Sequence, residues 1–187
     1  MFIFVRRLVM IIVGIDPGYA ITGYGVVSYE KNHFQVLDYG AITTKAHTPF
    51  EQRLLTIHQQ MDVLIERFHP EVMAIEELFF ARNTTTAIGT AQARGVVILS
   101  AAEANVPVYE YTPMQIKQAV TGYGRADKNQ VSQMVKMLLN LEKMPKPDDV
   151  TDALAVAICQ AHTGINRAFE AVGGYQYGRY GKKEFDL

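Results

Sequence analysis

The stretch MIIVGIDPG, from Met10 to Gly18, carries the strongest indication of the fold. Residues 10–15 form a short, continuous apolar run, which is typical of a strand buried inside a sheet. Asp16 ends this run, and Pro17 with Gly18 is typical of a turn. The stretch therefore predicts a buried first strand with an aspartate at its carboxyl end.

The rest of the chain alternates between strand and helix patterns. Two β-rich runs, 22–29 and 34–43, are separated by a polar turn, so three strands in a meander are predicted. A helix is then predicted from a capping box at 48–51 to residue 68, followed by a strand that ends near Glu76. Next come a helix from 84 to about 104, capped by Asn83, and a strand at 106–111. Three more helices follow: one that begins at a second capping box at 112–115, one at 128–141, and a last one from about 148 to 167. This order predicts an α/β domain.

Composition predicts one folded domain. The 187 residues are 49% apolar and 20% charged, which suits a single substantial core. We assign this domain to residues 10–168, a leader or early start codon to residues 1–9, and a flexible Gly/Tyr-rich tail to residues 169–187. The apolar stretch before Asp16 is too short to cross a membrane. The single cysteine, Cys159, predicts a buried, reduced thiol in a cytoplasmic protein.

The charges are unevenly distributed. The net charge is −1, but six of the 19 acids fall in three tight groups, and the remaining 13 acids stand against 18 Lys and Arg. The six grouped acids are Asp16, Glu76, Glu77, Asp148, Asp149 and Asp152. If these groups bind cations, the remaining surface is mildly basic, which is compatible both with phosphate contacts and with an ordinary solvated face.

Four of these acids can converge. Asp16 and Glu76 end predicted strands, and ligands bind at the carboxyl ends of strands in such sheets. Asp149 and Asp152, three residues apart, share one face of the last helix. Four carboxylates without a His/Cys ligand cluster predict Mg²⁺ rather than zinc, and two such ions would support phosphodiester hydrolysis of a nucleic acid.

Each acid also has an ordinary interpretation. Asp16 can be part of a turn, Glu76 or Glu77 can mark the solvent-facing end of a strand, and Asp148 or Asp149 can cap the last helix. Asp152 lies beyond the cap and is harder to explain in this way. The joint pattern therefore favours a metal site.

Several separated motifs together resemble one family. They are GIDPG at 14–18, AIEELFFARN at 74–83, TAQARGV at 90–96, YTPMQIKQAVTGYGRADKNQV at 111–131 and DDVTDALAVAI at 148–158. In this order they closely resemble the RuvC family of bacterial Holliday-junction resolvases, within the ribonuclease H-like superfamily. The resemblance covers about residues 10–162. It implies a ribonuclease H-like mixed five-stranded sheet, with an antiparallel three-strand meander and two parallel strands, flanked by helices.

The resemblance also implies a function. It is that of a cytoplasmic, homodimeric crossover junction endodeoxyribonuclease that nicks opposing strands of a four-way junction in DNA recombination and repair, leaving 5′-phosphate ends. Two Mg²⁺ ions per active site, for which Mn²⁺ can substitute, are implied on Asp16, Glu76, Asp149 and Asp152. The branch-migration proteins RuvA and RuvB are implied partners. A ribonuclease H-like nuclease acting on RNA or an RNA–DNA hybrid is the alternative.

The DNA-binding residues implied by the resemblance are Phe79, Lys117 and Lys128, to which we add Arg125 of the same basic segment. Phe79 matches an aromatic wedge at the junction centre, whereas a core position is the ordinary alternative for it and for Phe80. The lysines match basic residues near the scissile phosphate, and solvated lysines are the ordinary alternative. Small residues from Ala87 to Gly95 suit either a dimer contact or packing of their helix on its own sheet.

Overall fold

The computed structural model describes residues 9–78 and 84–164, with the side chains from residue 87 onward in the second range. The strands are β1 (Met10–Asp16), β2 (Ile21–Glu30), β3 (His33–Thr43), β4 (Val72–Glu76) and β5 (Val108–Tyr111). The helices are α1 (Phe50–Phe68), α2 (Thr84–Glu103), α3 (Pro113–Thr121), α4 (Lys128–Leu138) and α5 (Asp148–Thr163). The predicted order of elements is confirmed. The predictions for residues 1–8, Asn83 and 169–187 lie outside the described residues.

The strands form one mixed sheet in the order β3-β2-β1-β4-β5. β1 pairs antiparallel with β2 and parallel with β4, while β3 and β5 extend the two sides. In the register of the parallel pair, Ile15 lies opposite Ile75. The next residues, Asp16 and Glu76, therefore leave neighbouring strands at the same end of the sheet. The predicted fold class is confirmed.

Alternation along β1 assigns its residues to two faces. Val13 and Ile15 contribute to the core that also includes the buried residues of α1 and α2. Ile12 contributes to the other core, which includes buried residues of α3, α4 and α5. Asp16 is four residues after Ile12 in the same strand, so its side chain lies on the same face of the sheet, the one that α5 covers.

Helix α5 lies unusually close to the sheet because glycines replace side chains beneath it. A Cβ atom on Gly14 would lie 2.7 Å from the Ala157 nitrogen, and one on Gly23 would lie 3.0 Å from the Val150 nitrogen. A Cβ atom on Gly25 would lie 2.8 Å from Cγ of Leu154. Real Cβ atoms essentially never make contacts shorter than 3.0 Å. Helix α5 can therefore pack this closely on β1 and β2 only because these three positions are glycines.

Some helix ends differ from the predictions. The predicted capping box at Thr48 is wrong, because α1 has Pro49 as its N-cap and no side-chain cap hydrogen bond. The capping box of α3 is confirmed, with the backbone N–H of Gln115 donating to Thr112 Oγ1 at 3.2 Å. Helix α4 ends at Leu138, three residues before the predicted end. Helix α5 ends at Thr163, where Gly164 adopts a φ of 73°.

Two further features concern chemical class. Among the helices of the described residues, none combines the length and the apolar character needed to cross a membrane. Cys159 is buried in α5 as predicted, and burial raises the pKa of its thiol to about 12. A thiolate nucleophile at this position is therefore disfavoured at neutral pH.

We predict that Gly14→Ala lowers the free energy of unfolding by about 1–3 kcal/mol, because the new methyl group meets the fixed backbone of α5. Urea denaturation followed by circular dichroism measures this loss. Gly124→Ala is the matched control, since the tightest contact of its Cβ atom, 3.1 Å to Cγ of Met114, is with an exposed, flexible side chain that can move, and its other contacts are ordinary van der Waals distances. Equal stability of the Gly14 variant and the wild type would contradict the close packing described here.

Candidate active site

Four acids meet at the carboxyl ends of β1 and β4. Asp16 and Glu76 are the last residues of these neighbouring parallel strands, whose spacing is about 4.8 Å. Asp149 and Asp152 lie in the first turns of α5. Gly23, the partner of Asp16 in the β1–β2 register, packs against the backbone carbonyl of Asp149. The register and the glycine contact together bring the start of α5 over the end of β1.

The electrostatics of Asp16 confirm that this group is close. Its pKa is raised from 3.8 to about 7, first by burial and then by the negative charges of Glu76, Asp152 and Asp149, in that order. Lys128 opposes this shift. A carboxylate that is both buried and surrounded by like charges binds a proton, or another cation, more readily than an isolated one.

Glu76 faces a cleft of about 250 Å³ that it shares with Asp152 and two lysines, Lys117 and Lys128. Its pKa is raised by burial first and by Asp152 second, while Lys128 and Lys117 lower it. Lys117 belongs to α3, which begins two residues after β5 and is fixed there by the capping box at Thr112. The short connection therefore places a lysine beside the acids.

Lys128 makes the closest ionic contact with the acids. Its Nζ donates to Asp152 Oδ2 at 3.0 Å and lies 3.7 Å from Asp148 Oδ2. The hydrogen bond to Asp152 is the main reason why the pKa of Lys128 is raised. Asp127 and Gln130 form a reciprocal capping box that starts α4 at Lys128. Sequence reasoning missed this box, although the D-x-x-Q spacing signals it.

Asp148 has a different role from its neighbours. The interpretation that Asp148 or Asp149 caps α5 is wrong, because Pro147 is the N-cap and no side chain makes a cap hydrogen bond. Asp148 instead accepts a hydrogen bond from Lys146 Nζ at 2.9 Å, and this contact lowers its pKa. Its exposed carboxylate is thus already paired with a cation.

The acids suit a hard cation. All four donors are carboxylates, which favour Mg²⁺ or Mn²⁺ over softer metals. They do not form a closed cage: within the ranges the structure describes, the one group of three His, Cys, Asp or Glu residues with all ligand atoms inside 4.8 Å lies elsewhere. The Lys128 amine stands among these acids and partly balances their charge.

Comparison with known proteins identifies the family. The family model described as "Crossover junction endodeoxyribonuclease RuvC" matches residues 12–160. A curated relative of that name from Alkaliphilus oremlandii is 61% identical over 155 residues, which cover 83% of this chain and 94% of the relative. The chain belongs to the RuvC family.

Two solved structures are similar to this chain. Thermus thermophilus RuvC in complex with a Holliday junction substrate has a TM-score of 0.79 and 39% identity, covering 82% of this chain and 94% of the other. The yeast mitochondrial Holliday junction resolvase Ydc2 has a TM-score of 0.57, with 81% and 78% coverage, and its 12% identity supports the fold alone. As a RuvC-family member the chain is a nuclease, and membership implies dependence on a divalent metal.

Arg125, another predicted site residue, does not lie at the cleft. Arg125 lines a separate groove of about 680 Å³ on the other side of α3, together with Met114 and Tyr123. The structure therefore does not bring it to the acids. Phe79 and Phe80, the candidates for the wedge and the core, lie outside the described residues.

We predict that the stability of the metal-free protein falls as pH rises from about 4 to 7. Asp16 has a higher pKa in the folded state, about 7, than the ordinary 3.8, so the native state holds its proton more tightly. Stability is then greatest below the unfolded pKa and declines by up to about 4 kcal/mol as Asp16 ionises. Urea denaturation in chelator at several pH values measures this decline.

Asp16→Asn should not show this loss of stability with rising pH, and it should be more stable than the wild type at pH 8 in chelator. Glu71→Gln, at an exposed position just before β4, is the control and should keep the wild-type pH profile. If the wild type and Asp16→Asn have parallel profiles from pH 4 to 8, the raised pKa is wrong.

Proposed function

We propose that this chain is a Mg²⁺-dependent endonuclease that binds a four-way DNA junction and nicks two opposing strands. The observation that carries the proposal is that Glu76 and Asp152 line one cleft with two lysines, while buried Asp16 lies close enough to Glu76, Asp152 and Asp149 for their charges to raise its pKa. Family membership supports the reaction, and the Thermus thermophilus complex with a Holliday junction supports the substrate. Such an enzyme would act in the cytoplasm with the branch-migration proteins RuvA and RuvB.

The four carboxylates would hold two Mg²⁺ ions, for which Mn²⁺ could substitute. When bound, these ions supply the Lewis acidity that activates water and stabilises the leaving oxygen. These carboxylates favour cation binding because they repel one another. Around ionised Asp16, three carboxylates stand against one lysine, Lys128. The close contact of α5 with the sheet keeps the donors of the two layers in one place.

The reaction is hydrolysis of a phosphodiester. The oxygen of a water molecule forms a bond to phosphorus, the bond to the 3′ oxygen breaks, and the products are a 5′-phosphate and a 3′-hydroxyl. Lys117 lines the cleft beside Glu76, so its charge can oppose the negative charge that develops on the phosphate. Lys128, paired with Asp152 in the free protein, provides a second cation at the same cleft.

Two nicks require two clefts, and α2 offers a surface for a homodimer. Ile88 and Leu99 are 69% and 51% exposed, on the same face of α2 as exposed Gly95. The opposite face packs on the chain's own sheet through Ala93, which is fully buried. Small residues of α2 thus pack on its own sheet on one face, while the other face offers a second copy a mostly apolar stripe of Ile88, Gly95 and Leu99, interrupted by exposed Gln92.

We predict that Asp149→Asn and Asp152→Asn each lower the rate of junction cleavage by more than about 100-fold while junction binding is retained, because a direct metal ligand is lost. Asp148→Asn is the matched control: it changes the same functional group one residue away and should cut at close to the wild-type rate. Cleavage of a synthetic four-way junction with Mg²⁺ and with chelator measures the rates, and gel-shift titration measures binding.

The same assay should include plain duplex DNA and an RNA–DNA hybrid. We expect Mg²⁺-dependent cutting of the junction in preference to both. Cleavage of the hybrid but not the junction would replace the proposal with the ribonuclease alternative. Unchanged cutting by the Asp149 and Asp152 variants would refute the assignment of the site.

We predict that Ile88→Glu converts the dimer to a monomer and reduces paired nicking to single nicks, since it places a charge in the exposed stripe of α2. Sedimentation velocity measures the mass, and a supercoiled cruciform plasmid separates single from paired cuts. Met137→Glu is the control, because Met137 is 71% exposed on α4, outside this stripe. A wild-type chain that sediments as a monomer at micromolar concentration would exclude the dimer.

A further inference from the structure

A second cluster of metal-ligand side chains lies on the α1–α2 face of the sheet, away from the acidic cleft. It consists of His58 and Asp62, one turn apart on α1, and Glu103, the last residue of α2. The three ligand atoms all lie within 4.8 Å of one another. The chain separation between His58 and Glu103 means that only packing of α1 on α2 brings them together.

The distances fit a shared metal better than direct hydrogen bonds. His58 Nε2 lies 3.5 Å from Asp62 Oδ2 and 3.6 Å from Glu103 Oε2. A charge-assisted hydrogen bond would be about 2.7–2.9 Å. Two ligands bound tetrahedrally to one ion at about 2.1 Å are about 3.4 Å apart. Both separations are therefore close to the distance between two ligands of one tetrahedral ion.

The imidazole is held in the orientation that a metal ligand needs. His58 Nδ1 is 2.7 Å from Oγ of Ser100, a buried residue of α2 that is 1% exposed. This hydrogen bond fixes the ring and directs Nε2 toward the two carboxylates. Metal-bound histidines use such a partner on the second ring nitrogen to fix the ring and its tautomer.

The local charge also favours a cation. Among the described residues, the ion pairs give neither Asp62 nor Glu103 a lysine or arginine partner; their one basic neighbour is His58. Glu103 stands at the C-terminal end of α2, whose last turn has no basic residue. The helix dipole adds negative potential there. Two carboxylates and a helix terminus thus surround a single imidazole nitrogen.

We propose that His58, Asp62 and Glu103 bind one Zn²⁺ ion that joins α1 to α2, with water completing a tetrahedral shell. The imidazole distinguishes this site from the carboxylate cleft, because nitrogen ligands suit Zn²⁺ and Co²⁺ whereas an all-oxygen site suits Mg²⁺. The half-exposed carboxylates leave an entry path for the ion. The site is independent of the proposed cleavage reaction and fixes the two helices opposite the cleft.

Isothermal titration of the full-length protein with Zn²⁺, in saturating Mg²⁺, tests this site. We expect one Zn²⁺ per chain, with the affinity lowered more than about 100-fold in His58→Gln and Glu103→Gln, and about 10-fold in Ser100→Ala, which loses only the orienting hydroxyl. Co²⁺ should give visible absorption of a four-coordinate site that His58→Gln removes. Zn²⁺ should raise the unfolding temperature of the wild type and not that of His58→Gln.

Two controls separate this site from the others. His33→Gln changes an exposed histidine outside the cluster and should bind Zn²⁺ like the wild type. Asp149→Asn changes only the cleft and should also bind like the wild type, so failure of the proposed nuclease site would leave this result unaffected. Absence of Zn²⁺ binding under saturating Mg²⁺, or equal affinity in the wild type, His58→Gln and Glu103→Gln, would overturn the proposal.

Discussion

The contact of α5 with β1 and β2 is the constraint on which the acidic site depends. Gly14, Gly23 and Gly25 remove the side chains that would hold the helix away from the sheet. Asp16 belongs to the sheet, whereas Asp149 and Asp152 belong to the helix, so the separation of the two layers sets the separation of the carboxylates. Interiors are packed densely enough that one extra methyl group would be felt as a shift of the helix.

The close approach of the carboxylates concentrates negative charge, which the lysines of neighbouring helices only partly compensate. The pKa of Asp16 is raised by burial and by three neighbouring carboxylates. Lys117 and Lys128 bring positive charge from α3 and α4, and each helix is started at the required residue by a capping box. Helix caps, which contribute about 1 kcal/mol to stability, here also decide where Lys117 and Lys128 stand. Cation binding, protonation and folding are therefore linked at one cleft.

The two faces of the sheet carry different sets of candidate metal ligands. On the α5 face the candidate ligands are carboxylates, which match the hard divalent ions of phosphoryl transfer. The α1–α2 face presents an imidazole with two carboxylates at tetrahedral spacing, which matches zinc. It also carries the exposed apolar stripe of α2. One small domain can thus keep its chemistry on one side of the sheet and its structural contacts on the other.

The sequence by itself determined the order of elements, the acids at the ends of β1 and β4, and the pair of acids on α5, because hydrophobic periodicity and three-residue spacing are local properties. The family motifs extended this to a function. Tertiary structure alone decided that Lys128 reaches Asp152, that Arg125 faces another groove, and that His58 meets Glu103. The two contacts join residues of different helices, and their distances depend on how those helices pack against one another, which no local pattern encodes.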